Sequence, residues 1–162
     1  MSETPARLVT SDSPCEVWFY HLERARLEQV LPELLEKTLS RGWRALVRAP
    51  SAERIDHLDT WLWTYRDDSF LAHGVEGEPL IERQPIVVTR GTDNPNGTKA
   101  LFLIDGAEAG DLAAFERCVL IFDGGEASAV ADARARWAGF RSAGHQVAYW
   151  RQGETRGWER QS

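Results

Sequence analysis

The sequence predicts an α/β fold, a three-layer α/β/α sandwich in a single domain, and three observations carry that prediction. Short runs rich in β-branched and aromatic residues alternate with longer stretches whose apolar residues recur at the helical period. Two runs, Leu101 to Ile104 and Val119 to Phe122, are continuously apolar, as strands covered on both faces are. The 162 residues are 43% apolar, enough for one well-filled core, and show no internal repeat that would imply an array.

In chain order, residues 1–14 read as a flexible N-terminal segment, 15–152 as the folded domain and 153–162 as a C-terminal tail without a usable motif. Glu16 to Leu22 (EVWFYHL) is the first strand. Arg24 to Arg41 carries Leu27, Val30, Leu31, Leu34, Leu35 and Leu39 at helical spacing and stops at Gly42, with Pro32 predicting a bend or a break. Trp43 to Val47 is the next strand. Ser51 caps a second helix through Ile55, Leu58, Leu62 and Trp63, with Arg54 in the position where a capping box has Glu. Phe70 to His73 reads as a short strand and Ile86 to Thr89 as a further one. GTDNPNGTK is a loop by composition, its Gly97-Thr98-Lys99 reading as a hairpin-type turn, and Asp111 to Arg117 is predicted as a short helix. Gly124-Gly125 turns the chain into a last long helix, about Glu126 to Ala143, which Gly144 ends before a final strand, Gln146 to Trp150. Strands joined by helices on both faces make the sandwich Rossmann-like.

Composition limits the function. The formal net charge of -6 gives a field that repels a phosphate backbone. The basic residues are mostly arginine and thicken toward the C-terminus, so a local anion-binding surface on an acidic protein is available there. No stretch approaches the roughly 20 apolar residues of a membrane helix, and the N-terminus lacks a signal-peptide pattern. Cys15 and Cys118 lie in apolar runs with no CxxC spacing and read as small buried hydrophobes in a reducing compartment. A cytoplasmic protein without membrane contact is expected.

Motifs for chemistry are missing. Asp123-Gly124-Gly125-Glu126 occupies the strand-to-helix place of a dinucleotide fingerprint, but the GxGxxG spacing fails and Glu126 would set a carboxylate beside a phosphate. Gly97-Thr98-Lys99 has phosphate-loop ingredients in the wrong order. None of His21, His57, His73 and His145 stands at metal-ligand spacing, and GxSxG is absent. Sequence spacing does not exclude a long-range acid and base pair, but catalysis has no support and no cofactor is implied.

Two surfaces point to protein partners instead. On the last helix Val130, Arg134, Trp137 and Arg141 fall on one stripe, while Ala129, Ala133, Phe140 and Ala143 form the natural core face; Phe122 would lie near the helix start. An indole bracketed by guanidiniums suits an acidic peptide with an apolar tip. The opposing reading, a partly buried core tryptophan with a solvated arginine fringe, stands beside it. Trp61 and Trp63, two residues apart on a helix, cannot share one face, so at least one is pushed outward as a possible anchor, with Phe70 close behind.

The succession Val17 to Tyr20, Arg41-Gly42-Trp43-Arg44, Leu58-Asp59 to Leu62-Trp63, Ser69-Phe70 with His73, and Arg136-Trp137 to Phe140-Arg141 with Ala143-Gly144 resembles the chi subunit family of bacterial DNA polymerase III over nearly the whole chain. The resemblance implies a non-catalytic adaptor in the clamp-loader complex. It implies that Arg134, Trp137 and Arg141, with Phe122 and Val130, receive the acidic C-terminal tail of single-stranded DNA-binding protein, whose last residue is phenylalanine. It further implies a surface at Trp63, Phe70 and Leu71 for a psi subunit or diverged equivalent, with nucleic acid reached only indirectly. Asp123 stands where the family has an apolar residue, and Ala72 where a proline can precede the histidine. The competing functions are a nucleotide-dependent α/β enzyme and direct single-strand binding through the arginine-rich end.

Overall fold

A computed structural model describes residues 15–64, 71–152 and 158–161 of the chain. The elements run β1 (Glu16–Leu22), α1 (Leu27–Ser40), β2 (Ala45–Arg48), α2 (Ala52–Thr64), β3 (Gly74–Val75), β4 (Ile86–Thr89), β5 (Ala100–Ile104), β6 (Arg117–Asp123), α3 (Ala127–Ser142), β7 (Val147–Gln152) and β8 (Trp158–Arg160). The strands form one sheet in the order β3-β4-β2-β5-β6-β1-β7-β8. All neighbours are parallel except β7 and β8. The Rossmann-like α/β fold is therefore the observed one.

Side chains alternate across the sheet, so each strand feeds two cores. On one face Tyr20, Val47, Val88, Phe102 and Ile121 pack under α1 and α2. On the other, Phe19, Leu46, Val87, Leu103 and Leu120 pack against α3 and the segment 107–115. Both cysteines are buried and unpaired. Burial pushes the Cys15 thiol up to about 12 and raises that of Cys118 as well, so both remain protonated hydrophobes.

Pro32 does not break α1 into two pieces; the helix is continuous from Leu27 to Ser40. A proline cannot donate to the carbonyl four residues earlier, that of Glu28. The Trp61 indole of α2 supplies the missing donor, bonding the Glu28 carbonyl at 2.5 Å. An interhelical hydrogen bond thus replaces the intrahelical one and joins α1 to α2 at that point.

Several other expectations are corrected. Residues 71–73 are not a strand; pairing begins at Gly74, and Phe70 lies outside the described residues. The loop holding Gly97-Thr98-Lys99 is no hairpin. It carries the chain from β4 to β5, two parallel strands on opposite sides of β2, and it is held by Asn94 and Thr98 bonding each other and by Asn96 reaching the Ala45 and Gln84 carbonyls. Asp111 to Arg117 is not a helix: Gly110 takes a positive φ of 64°, Asp111 accepts a bond from the Ala113 N–H, and one turn closes from Phe115 to Leu112 before β6 starts at Arg117. Leu112 and Phe115 are nevertheless buried. After Trp150 the chain continues β7 and returns as β8.

Arg48 stabilises this loop-rich part of the second face. Only 2% exposed, it donates to the carbonyls of Ala109, Thr92 (2.8 Å) and Asp93 (3.3 Å), tying the β4–β5 connection to the segment after β5. Its side chain also lies over the Phe115 ring at 5.6 Å. Arg48→Met would leave these carbonyls without their donor. We expect a loss of about 3 kcal/mol in denaturant unfolding, and a loss below about 1 kcal/mol would contradict the clamp role.

Candidate functional site

The local sequence sets where α3 starts. At the end of β6, Gly124 passes so close to β1 that an added Cβ would run into the His21 ring and lie 2.7 Å from the Leu22 carbonyl. Only glycine fits, and its N–H bonds that same carbonyl at 2.8 Å. Asp123 turns its carboxylate back onto the Gly125 N–H (2.8 Å), so this acid is engaged in the turn.

From there α3 winds at about 100° per residue. Ala129, Val130, Ala133, Trp137 and Phe140 fall within an arc of about 100° and pack on the second core; Ala133, at 3% exposed, is its centre. The core face is thus wider than an alanine stripe with Phe140, because Val130 and Trp137 belong to its edge, while Ala143 is an exposed cap residue. Arg136 lies just past one edge of the arc, bonded to the Gly106 and Ala107 carbonyls and paired with Asp132 at 3.0 Å. Arg134 and Arg141 lie just past the other edge, beside Trp137. Both are exposed, and among the described residues neither guanidinium has a hydrogen-bond or ion-pair partner.

Under this edge lies a floor of rings. Trp137 meets Phe19 edge-on at 5.3 Å and Tyr149 at 5.8 Å, so its indole is half-buried with one flank outward. Tyr149, on β7, also packs against Phe122 (6.2 Å) and His21 (5.8 Å), and its hydroxyl is hydrogen-bonded to His21 Nδ1 at 2.5 Å. Phe122 is 7% exposed and forms the floor rather than the rim. Burial first, and then Arg151, holds the His21 imidazole below its ordinary value; burial raises the Tyr149 phenol. The arrangement offers a partly apolar shelf with cations on its outer side and an unionised Tyr–His pair at one end.

The second predicted surface forms on α2 and the chain after it. Trp63 is 47% exposed, whereas Trp61 is partly buried through its bond to α1, so the two indoles divide as their spacing requires. Trp63 lies against the His73 ring at 4.4 Å; His73 is buried and hydrogen-bonded to Asp59 (2.7 Å) and to the Leu71 carbonyl (2.8 Å). Leu71 is 2% exposed and faces the core, so among the described residues named for this surface Trp63 presents the outward ring. Phe70 is outside the described residues.

A crevice of about 690 Å³ opens at the C-terminal ends of β1, β5 and β6, where α1 and α3 leave on opposite faces. Open α/β sheets place ligands at such a point. Here a phosphate approaching α3 would meet Asp123 and Glu126; of the arginines on its walls, Arg54 and Arg136 are held by Glu28, Asp105 and Asp132, and Arg24 and Arg26 stand beside them at the start of α1. Among the described residues no cluster of His, Cys, Asp or Glu could hold a metal ion, and no helix is long and apolar enough to cross a membrane.

Residues 15–148 match the family described as DNA polymerase III chi subunit, HolC. The chain belongs to the DNA polymerase III chi subunit family. It is also similar to a probable DNA polymerase III subunit chi of Rickettsia prowazekii (strain Madrid E), 23% identical over 103 residues, which cover 64% of this chain and 62% of that relative. That match spans less than two thirds of the relative's own length.

For a chi-family chain, the structure brings Phe122, Val130, Arg134, Trp137 and Arg141 to one edge of α3, and it keeps Trp63 on a separate surface. Tyr149 and His21 were not singled out in the sequence. The only signal was strand alternation, which sends Val147 and Tyr149 to the α3 side of β7 and Ala148 and Trp150 to the other. The unfolded His21 ring titrates near 6.5 and the folded one lower, so acidification between those values protonates the unfolded chain first and removes stability. An NMR titration should place the His21 imidazole below 6.5; a value above it would contradict the neutral Tyr–His pair.

Proposed function

We propose that this chain is a non-catalytic adaptor of the clamp-loader complex that binds the acidic C-terminal tail of single-stranded DNA-binding protein. The observation that carries this reading is the pair Arg134 and Arg141, exposed beside a half-buried Trp137 while their helix neighbour Arg136 is fully engaged. Guanidiniums without internal partners can fork onto carboxylates of an incoming chain. The terminal phenyl ring would pack against Trp137 and Val130 above Phe122 and Tyr149, where edge-on ring contacts already prevail. Asp123, bonded to its own turn, sits beyond the helix start and away from the two arginines along α3.

A second contact, with a psi subunit or a diverged equivalent, fits the surface around Trp63. An indole 47% exposed and braced by the buried His73, itself bonded to Asp59, is the kind of rigid aromatic anchor that dominates protein interfaces. Leu71 contributes by fixing the chain beneath it, through the carbonyl that His73 bonds.

Titration of the full chain with a tail peptide ending in Phe should give a dissociation constant on the order of micromolar that rises with salt. Arg134→Ala and Trp137→Ala should each weaken binding about tenfold or more, and Trp63→Ala should leave it unchanged. Because Trp137 also packs on Phe19, the exposed Arg134→Ala is the decisive variant. Tail binding indifferent to Arg134→Ala and to salt would overturn the site.

A further inference from the structure

A second ridge of rings and cations lies at the opposite end of the sheet, on the α1 side, and no part of the peptide reading uses it. The chain has only two lysines, Lys37 and Lys99, and both lie at the N-terminal ends of the strands, Lys37 in the last turn of α1 and Lys99 just before β5. Arg41, Arg44 and Arg117 join them. The Arg41 guanidinium lies 4.5 Å over the Trp43 ring, and Arg117 reaches both Trp43 (5.5 Å) and Trp18 (3.8 Å). Trp18 in turn meets Trp150 at 5.5 Å. The result is a continuous ladder, Arg41-Trp43-Arg117-Trp18-Trp150, running across the sheet from β2 to β7.

Two features make this ladder a surface rather than core. None of Trp18, Trp43 and Trp150 is fully buried, and Arg41, Lys37 and Lys99 are exposed. Among the described residues the main helix contacts of this face fall on β2, β3, β4 and β6. The nearby acids neutralise part of this charge: Glu16 pairs with Arg117 at 3.5 Å and Glu116 with Lys99 at 3.3 Å, while Arg44 is held by the Glu82 and Asn96 carbonyls. Lys37 and Arg41 remain as exposed charge beside the first indole. A protein of net charge -6 thus concentrates cations where its tryptophans line up.

We propose that this ridge binds single-stranded nucleic acid directly, bases packing on Trp43 and Trp18 and phosphates meeting Lys37 and Arg41. Flat rings accept any base, and cations interleaved with them follow the backbone, the combination that single-strand binders use. An acidic peptide would use the cations but leave the ring ladder idle, and an apolar partner the reverse. Duplex DNA, its bases already stacked, cannot engage the indoles. This site is separate from the α3 edge, so both can be occupied at once.

The test is fluorescence anisotropy of a labelled oligo-dT of about 20 nucleotides, longer than a typical single-strand footprint, titrated with the full chain from low to moderate salt. We expect saturable binding, weaker for duplex of the same length, with log K falling against log salt at about 0.7 per phosphate contacted. Lys37→Glu with Arg41→Glu should weaken it about tenfold or more, and Trp43→Leu about fivefold or more with little change in salt slope. Arg134→Glu should alter it by less than about twofold, while tail-peptide binding responds in the opposite pattern. Absence of saturable binding up to about 100 µM at low salt, equal binding of duplex, or loss on Arg134→Glu but not on Lys37→Glu with Arg41→Glu would overturn the proposal.

Discussion

The seating of Trp137 between Phe19 and Tyr149 is the contact on which the α3 edge depends. It fixes the rotation of the helix about its axis. With Ala133 against the sheet and Trp137 at the margin, Arg136 is turned into the protein and Arg134 and Arg141 out of it. A rotation of one residue would exchange these roles, since neighbours on a helix are about 100° apart. The proposed binding site would be a by-product of core packing: the side chains that hold the helix down are the same ones that leave two guanidiniums beside an apolar shelf.

The same logic recurs where the fold departs from regular elements. Pro32 removes a donor from α1, and Trp61 of α2 restores it. On the second face α3 packs mainly on β6 and β7 among the described residues, and Arg48 gathers the loops near β2 and β5. In each case a polar group is satisfied across the structure because local backbone geometry cannot satisfy it.

What the sequence made legible follows from range. β1, β4 and α3 fall within a residue or so of their predicted bounds, because alternation, helical period and the glycines at 124, 125 and 144 are local signals. Ser51 does cap α2, its hydroxyl accepting from the Arg54 N–H at 3.2 Å. The misses are of long range. Leu112 and Phe115 have helical spacing, yet their conformation is set by Gly110 and by the Arg48 clamp from another strand. β8 exists through pairing with β7, where Trp158 also meets Tyr20 at 4.9 Å, and its own three residues signal nothing. For the α3 edge, Arg134, Trp137 and Arg141 were legible from helical spacing. Tyr149 was not, since only the β1–β7 register sets it opposite Phe19 and beside the helix. The Arg41–Trp43–Arg117–Trp18 ladder joins three separate elements and is visible only once β1 and β6 are known to be neighbours.

The central claim, that α3 presents an anion-and-ring dock, is tested most directly by a crystal structure of the chain with the peptide tail bound. The account predicts the terminal phenyl ring against Trp137 and Val130, over Phe122 and Tyr149, with peptide carboxylates at Arg134 or Arg141. A peptide lodged instead beside Trp63 or in the crevice at the C-terminal ends of β1, β5 and β6, with the α3 arginines still in solvent, would contradict it.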